Sequence, residues 1–159
     1  MTSDASGIRK FLVCVDDTPE CRVALRFACR RAKKTGGGVT LLRVIEPADF
    51  QHWVAVEDLM REEARDAAEA LLQELAAGVN EWADLMPELV VREGPKRDSV
   101  LTLIEEDPAI RILVLGAASG PEGPGPLVNA LASQMAGTMR VPVTIVPGTL
   151  SNVQIDELT

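Results

Sequence analysis

At 159 residues, 47% of them hydrophobic and 25% charged, the chain has the size of one globular domain that can bury a genuine core. Its 24 Asp and Glu against 16 Lys and Arg give a net charge of −8, which argues against nucleic acid or an anionic membrane surface as the main partner. No apolar run approaches the roughly 18 to 20 residues that cross a bilayer, and residues 1–10 lack the hydrophobic core of a signal peptide, so the expected location is the cytoplasm.

Phe11 to Val15 (FLVCV) is the first apolar run and reads as a buried strand. Asp16-Asp17-Thr18-Pro19 then turns the chain and starts a helix, with Thr18 as N-cap, Pro19 at the first helical position and Glu20 in the first turn. Ala24, Leu25, Ala28, Cys29 and Ala32 recur at helical spacing, and Arg30, Arg31, Lys33 and Lys34 oppose the dipole before Gly36-Gly37-Gly38 ends the helix. Cys21 and Cys29 share a face of this helix about 12 Å apart along its axis, too far to be bridged. With Cys14 they make an odd set without C-x-x-C spacing, so free thiols are expected, and no metal centre.

Val39 to Val44 (VTLLRV) is a second strand, and Glu46-Pro47 breaks the chain before a connection to about Val54. A long amphipathic helix follows, its apolar stripe read as Met60, Ala64, Ala67, Leu71, Leu75, Val79 and Trp82, with Glu62, Arg65, Asp66, Glu69 and Glu74 solvated opposite. Leu89 to Arg92 is a third strand, and Gly94-Pro95 reads as a turn. Asp98-Ser99 caps a short helix through Ile104, and Arg111 to Leu115 is the fourth strand.

That strand runs into Gly116-Ala-Ala-Ser119-Gly120-Pro-Glu-Gly123-Pro-Gly125-Pro126. A glycine-rich turn at the carboxyl end of a buried strand is where open α/β sheets place ligands. Glycines let a backbone approach a phosphate and present N–H donors, but Pro121, Pro124 and Pro126 lack that donor and Glu122 adds negative charge. Leu127 to Arg140 has a helical pattern, and Val141 to Pro147 (VPVTIVP) is a fifth strand. Pro142 cannot donate to a ladder, which puts this strand at a sheet edge, and an edge so apolar calls for cover by a second copy of the chain through Val141, Val143, Ile145 and Val146. Residues 149–159 read as a short, mobile polar tail after a single domain over 1–148.

Strand and helix alternate throughout, which predicts an α/β fold: an open, twisted, parallel five-stranded sheet in three layers with helices on both faces. Catalytic signals are weak. His52 stands alone in a connection beside Trp53, and Ser99, Ser119 and Ser133 lack any G-x-S-x-G setting, so no enzyme is expected. Asp16 and Asp17 suit a strand-to-helix corner by turn chemistry alone. As an acidic pair holding Mg²⁺ for phosphorylation they would need an aspartate after the third strand and a lysine after the fifth, where the chain has Arg92-Glu93 and Pro147-Gly148.

VCVDDTPECRVALRFA, VTLLRVIEP, VREGPKRDSV, ILVLGAASG and VPVTIVP, in this order, resemble the universal stress protein family across nearly the whole chain. The resemblance implies a Rossmann-like, adenine nucleotide alpha hydrolase-like fold, a dimer joined through the fifth strand, and an ATP site with Mg²⁺ only alongside nucleotide. That site would use an aspartate after the first strand, backbone at the end of the second, and a loop G-x2-G-x9-G-[S/T] after the fourth. The slots are occupied by Asp16 with Asp17 and Thr18, by Val44, and by Gly116, Ala117, Ser119, Gly120, Asn129 and Ala130. Ser119 stands in the second glycine slot with Gly120 one place late, and Asn129-Ala130 replaces Gly-Ser or Gly-Thr. Losing that hydroxyl removes a hydrogen bond of about 1 to 2 kcal/mol to a charged group, and with the prolines ATP affinity falls by roughly two or three decades. The expected function is therefore a dimeric, universal-stress-type regulatory protein with weak or lost ATP binding, at most hydrolysing ATP or autophosphorylating weakly. The alternative is a competent ATP or adenylate binder.

Overall fold

The computed structural model describes residues 7–46 and 54–159, with the side chains of 54–57 also outside the description. His52, Trp53 and the connection from Pro47 lie outside the described residues. Five strands form one sheet: β1 (Lys10–Cys14), β2 (Gly38–Ile45), β3 (Glu88–Glu93), β4 (Ile110–Ala117) and β5 (Val143–Pro147), in the order β3-β2-β1-β4-β5. Every pairing is parallel, with β1 centred between β2 and β4. The order reverses between β1 and its two neighbours, so the carboxyl ends of β1 and β4 open a crevice there.

The central strands β2, β1 and β4 are buried on both faces, which is why they are apolar at successive positions. On one face Phe11, Val13, Val15, Leu41, Val114 and Val146 pack against α1 (Pro19–Thr35) and α2 (Val54–Ala83). On the other, Leu12, Leu42, Val44, Leu113 and Leu115 meet Val100, Leu103 and Ile104 of α3 (Lys96–Glu106) and Val128 of α4 (Pro126–Asn129).

The first βα unit forms as its sequence dictates. Thr18 has extended backbone and its hydroxyl accepts from the Cys21 N–H at 3.3 Å, Pro19 opens the helix, and Gly36 closes it in the left-handed region at φ 72°. Cys21 and Cys29 are buried and all three cysteines are free thiols.

Four features differ from the sequence expectations. The buried stripe of α2 is Ala68, Leu72, Leu75, Val79 and Ala83; Ala67 is exposed and Trp82 is 41% exposed, its ring lying beside the Arg26 guanidinium. A helix this rich in alanine offers nearly equivalent stripes one residue apart, and packing chooses between them. Beyond α4 the chain makes one wide turn, Ala130–Gln134, in which the Met135 N–H reaches the Ala130 carbonyl, and then a short tight turn, Ala136–Thr138, so no continuous helix runs to Arg140. Val141 and Val146, read from sequence as uncovered edge positions, are buried in the protein's own core at 5% and 1% exposure, while Val143 and Ile145 remain half-buried.

The fourth difference is the tail. Residues Asn152–Leu158 form a helix, α5, started by a reciprocal capping box in which Ser151 and Gln154 exchange side-chain and backbone hydrogen bonds. Ile155 is fully buried against α1, Arg26 grips Asp156 with two bonds of 2.9 Å, and Arg30 lies 3.0 Å from the same carboxylate. One apolar anchor and a forked ion pair thus order a segment whose composition alone reads as a loose tail.

Candidate functional site

The crevice at the ends of β1 and β4 is lined by Cys14, Asp16, Thr18, Glu20, Cys21, Lys96, Leu115, Gly116 and the segment from Pro124 to Val128, enclosing about 140 Å³. A second cavity of about 310 Å³ adjoins it, sharing Lys96, Pro126 and Leu127 and adding Glu46, Pro95, Arg97 and Ala130. Asp16 and Gly116 therefore line one hollow, as two βα corners at a switch point should.

Asp16 is held by its own turn. One carboxylate oxygen, Oδ1, accepts from both the N–H and the hydroxyl of Thr18, while the Asp16 N–H points at the Cys21 sulfur at 3.4 Å. The other oxygen, Oδ2, has no hydrogen-bond partner among the described residues. Asp17 turns outward instead, 83% exposed and 3.4 Å from Arg22. Val44 is buried in the core on the α3 side, and Glu46 two residues later reaches the second cavity in its place.

Gly116 has a packing reason to be glycine. A Cβ there would lie 2.3 Å from the Glu20 carbonyl oxygen, because the first turn of α1 crosses β4 at this point. Ala117 gives its carbonyl to the Gly148 N–H at 2.9 Å, and Ser119 and Gly120 are exposed outside the lining. The loop closes on itself: the Ala118 N–H donates to the Pro124 carbonyl and the Gly123 N–H to the Gly120 carbonyl, each at 3.1 Å. With Pro121, Pro124 and Pro126, five of the nine backbone positions from 118 to 126 have no N–H to offer a ligand. Asn129 is exposed and its N–H donates to the Gly125 carbonyl at 3.0 Å; Ala130 lines the second cavity but carries no hydroxyl.

The electrostatics of the two hollows differ. The first carries Asp16 and Glu20 against Lys96, the second Glu46 against Lys96 and Arg97. Burial pushes the Cys14 thiol up to about 12 and the Cys21 thiol up to about 11, so both are neutral near pH 7 and neither is a poised nucleophile. Among the described residues no group of three His, Cys, Asp or Glu converges to hold a metal.

Sequence reasoning passed over Lys96, Glu46, Cys14 and Cys21 as lining residues. The available signal was Gly94-Pro95, read as ordinary punctuation: Gly94 sits at φ 141° and its N–H bonds the Ile45 carbonyl at 3.0 Å, which swings the start of α3 to the mouth of the crevice.

Solved structures share this architecture. Universal stress protein UspA from Lactobacillus plantarum superposes with a TM-score of 0.69 at 20% identity, covering 87% of this chain and 97% of that one. A universal stress protein in complex with cAMP gives 0.62 at 14% identity, covering 90% and 99%, and an Arabidopsis thaliana family member with AMP bound gives 0.60 at 18%, covering 87% and 91%. No curated protein matches the sequence. The sequence profile of the universal stress protein family matches residues 7–147, nearly the whole sheet and its helices. The chain therefore belongs to the universal stress protein family.

Proposed function

We propose that this protein is a non-catalytic, homodimeric regulatory protein of the cytoplasm whose β1/β4 crevice binds ATP weakly or not at all, with Mg²⁺ entering only alongside a nucleotide. The observation that carries this is the closed loop after β4, where five of nine positions present no free N–H, Ala130 stands where a hydroxyl is wanted, and Glu122 lies in the same loop. A triphosphate needs several such donors, each charge-assisted bond being worth about 1.5 to 3 kcal/mol. In this small crevice the carboxylates of Asp16 and Glu20 outnumber the one cation, Lys96, which disfavours a triphosphate further.

The dimer reading rests on β5, an edge strand whose Val143 and Ile145 remain half-buried in a single chain and would be covered by a second copy. A second reading, competent adenylate binding, is favoured by the shared hollow of Asp16, Gly116 and Lys96 and by family members of the same fold with AMP or cAMP bound.

A thermal unfolding series with Mg-ATP separates the two. A Kd of 1 mM or weaker adds at most about 0.4 kcal/mol at 1 mM ligand, or roughly 1 °C in a domain of this size. A Kd of 10 µM would add about 2.7 kcal/mol, or roughly 5 to 11 °C. The weak-binding reading expects the small shift, and the large one would establish the alternative.

A further inference from the structure

Lys96 is the one cation that lines both hollows, at their junction, and it has no ion-pair or hydrogen-bond partner among the described residues. Every other charged side chain in the first hollow is a carboxylate, Asp16 or Glu20. Among the described residues, Lys96 and Arg97 outnumber Glu46 in the second, and Arg97 pairs there only with its neighbour Asp98, at 3.4 Å. Positive potential therefore lies at the start of α3, away from the loop after β4, where the family-type phosphate grip has been consumed by internal hydrogen bonds and prolines.

Two polar groups of the first hollow suit different ends of a ligand. Asp16 Oδ2 is a free acceptor, suited to an amino or hydroxyl donor, while the Lys96 ammonium, a point charge on a flexible stem, suits a phosphate. Leu115, Leu127 and Val128 add apolar surface to the same hollow. The larger hollow, about 310 Å³, is at the lower bound for a small-molecule site. A ligand with a hydrogen-bond donor at one end, a flat apolar middle and one phosphate at the other matches these groups; a longer phosphate chain would add negative charge to hollows that already hold Asp16, Glu20 and Glu46.

We propose that Lys96 is the anion anchor of this crevice and selects a nucleoside monophosphate over a triphosphate. The assignment deepens the second reading, that the crevice takes an adenylate, and rests on it. It makes the start of α3, rather than the glycine-rich loop, the element that fixes the phosphate.

The test is an amide-resolved NMR titration of the full chain with AMP, ATP and inorganic phosphate, repeated on Lys96→Met, Lys96→Arg and Lys34→Met, the last at the far end of α1. Expected are AMP-dependent shifts at 16–21, 96–99 and 127–130, with ATP binding no tighter than AMP. Lys96→Met should weaken AMP by about tenfold or more, Lys96→Arg by less than about threefold, and Lys34→Met not at all. Equal AMP affinity for wild type and Lys96→Met would overturn the anchor while leaving the nucleotide crevice standing. Phosphate shifts that depend on Lys96 without any AMP binding would keep the anchor and remove the nucleotide. No response to any of the three probes would overturn both.

Discussion

Replacing Gly116 by alanine asks what that glycine is for. The new Cβ would sit 2.3 Å from the Glu20 carbonyl oxygen, 2.7 Å from its carbon and 3.3 Å from the Cys21 nitrogen, all main-chain atoms of the first turn of α1. A carbon reaches a carbonyl oxygen comfortably at about 3.3 Å, so α1 and β4 must part by roughly 1 Å in a close-packed interior. Neither partner is a flexible side chain, which puts the cost at the upper end of the 1 to 3 kcal/mol typical of overpacking. For about 3 kcal/mol in a domain of this length, the melting temperature should fall by roughly 6 to 12 °C without any ligand. Gly120→Ala is the internal comparison: a Cβ there meets nothing within 4 Å and the residue has no left-handed backbone to lose. It should leave stability unchanged or slightly raised. Differential scanning calorimetry of both variants decides the matter, and a Gly116→Ala protein melting within about 1 °C of wild type would refute the packing argument.

Other outcomes follow from the same geometry. Ile155→Ala, which empties a fully buried site, should cost about 2 to 5 kcal/mol if α5 stays docked, and should otherwise raise hydrogen exchange across 152–158 to that of a free segment; a variant as stable and as protected as wild type would contradict the docking. Val143→Asp or Ile145→Asp should yield monomers by light scattering, and an unchanged mass would remove β5 as the interface. The buried thiols of Cys14, Cys21 and Cys29 are raised to about 12, 11 and 12 from an ordinary 9.0, so the stability they contribute is complete below about pH 9 and is lost as pH rises through those values. Denaturation midpoints should decline from pH 9 upward, and the decline should be shallower in the triple Cys→Ala variant. Ser119→Gly combined with Asn129→Gly and Ala130→Ser should tighten ATP, whereas no change would mean that the prolines and Glu122 dominate.

The sheet was legible because strands buried on both faces are short apolar runs between strong punctuators: Thr18-Pro19 and Gly36 each mark a boundary that the structure keeps, whereas β4 runs on through Gly116 to Ala117. The corner chemistry at Asp16 was equally local, an acceptor two residues before its donor. What sequence left hidden is what distant packing decides. Gly116 reads as a ligand glycine until α1 is seen crossing it, and Val141 and Val146 read as uncovered side chains until the core takes them. Lys96 has no motif of its own; only the crossover after β3 brings it opposite Cys14 and Asp16. The Ser151 to Gln154 spacing was an available helix-start signal at the end of the chain, but its docking depends on Arg26 and Arg30 some 130 residues earlier.

Isothermal titration of the purified protein with Mg-ATP bears most directly on whether the closed loop after β4 has given up its grip on a triphosphate. The account predicts no saturable heat below about 1 mM ATP. A single-site isotherm with a micromolar Kd would contradict it.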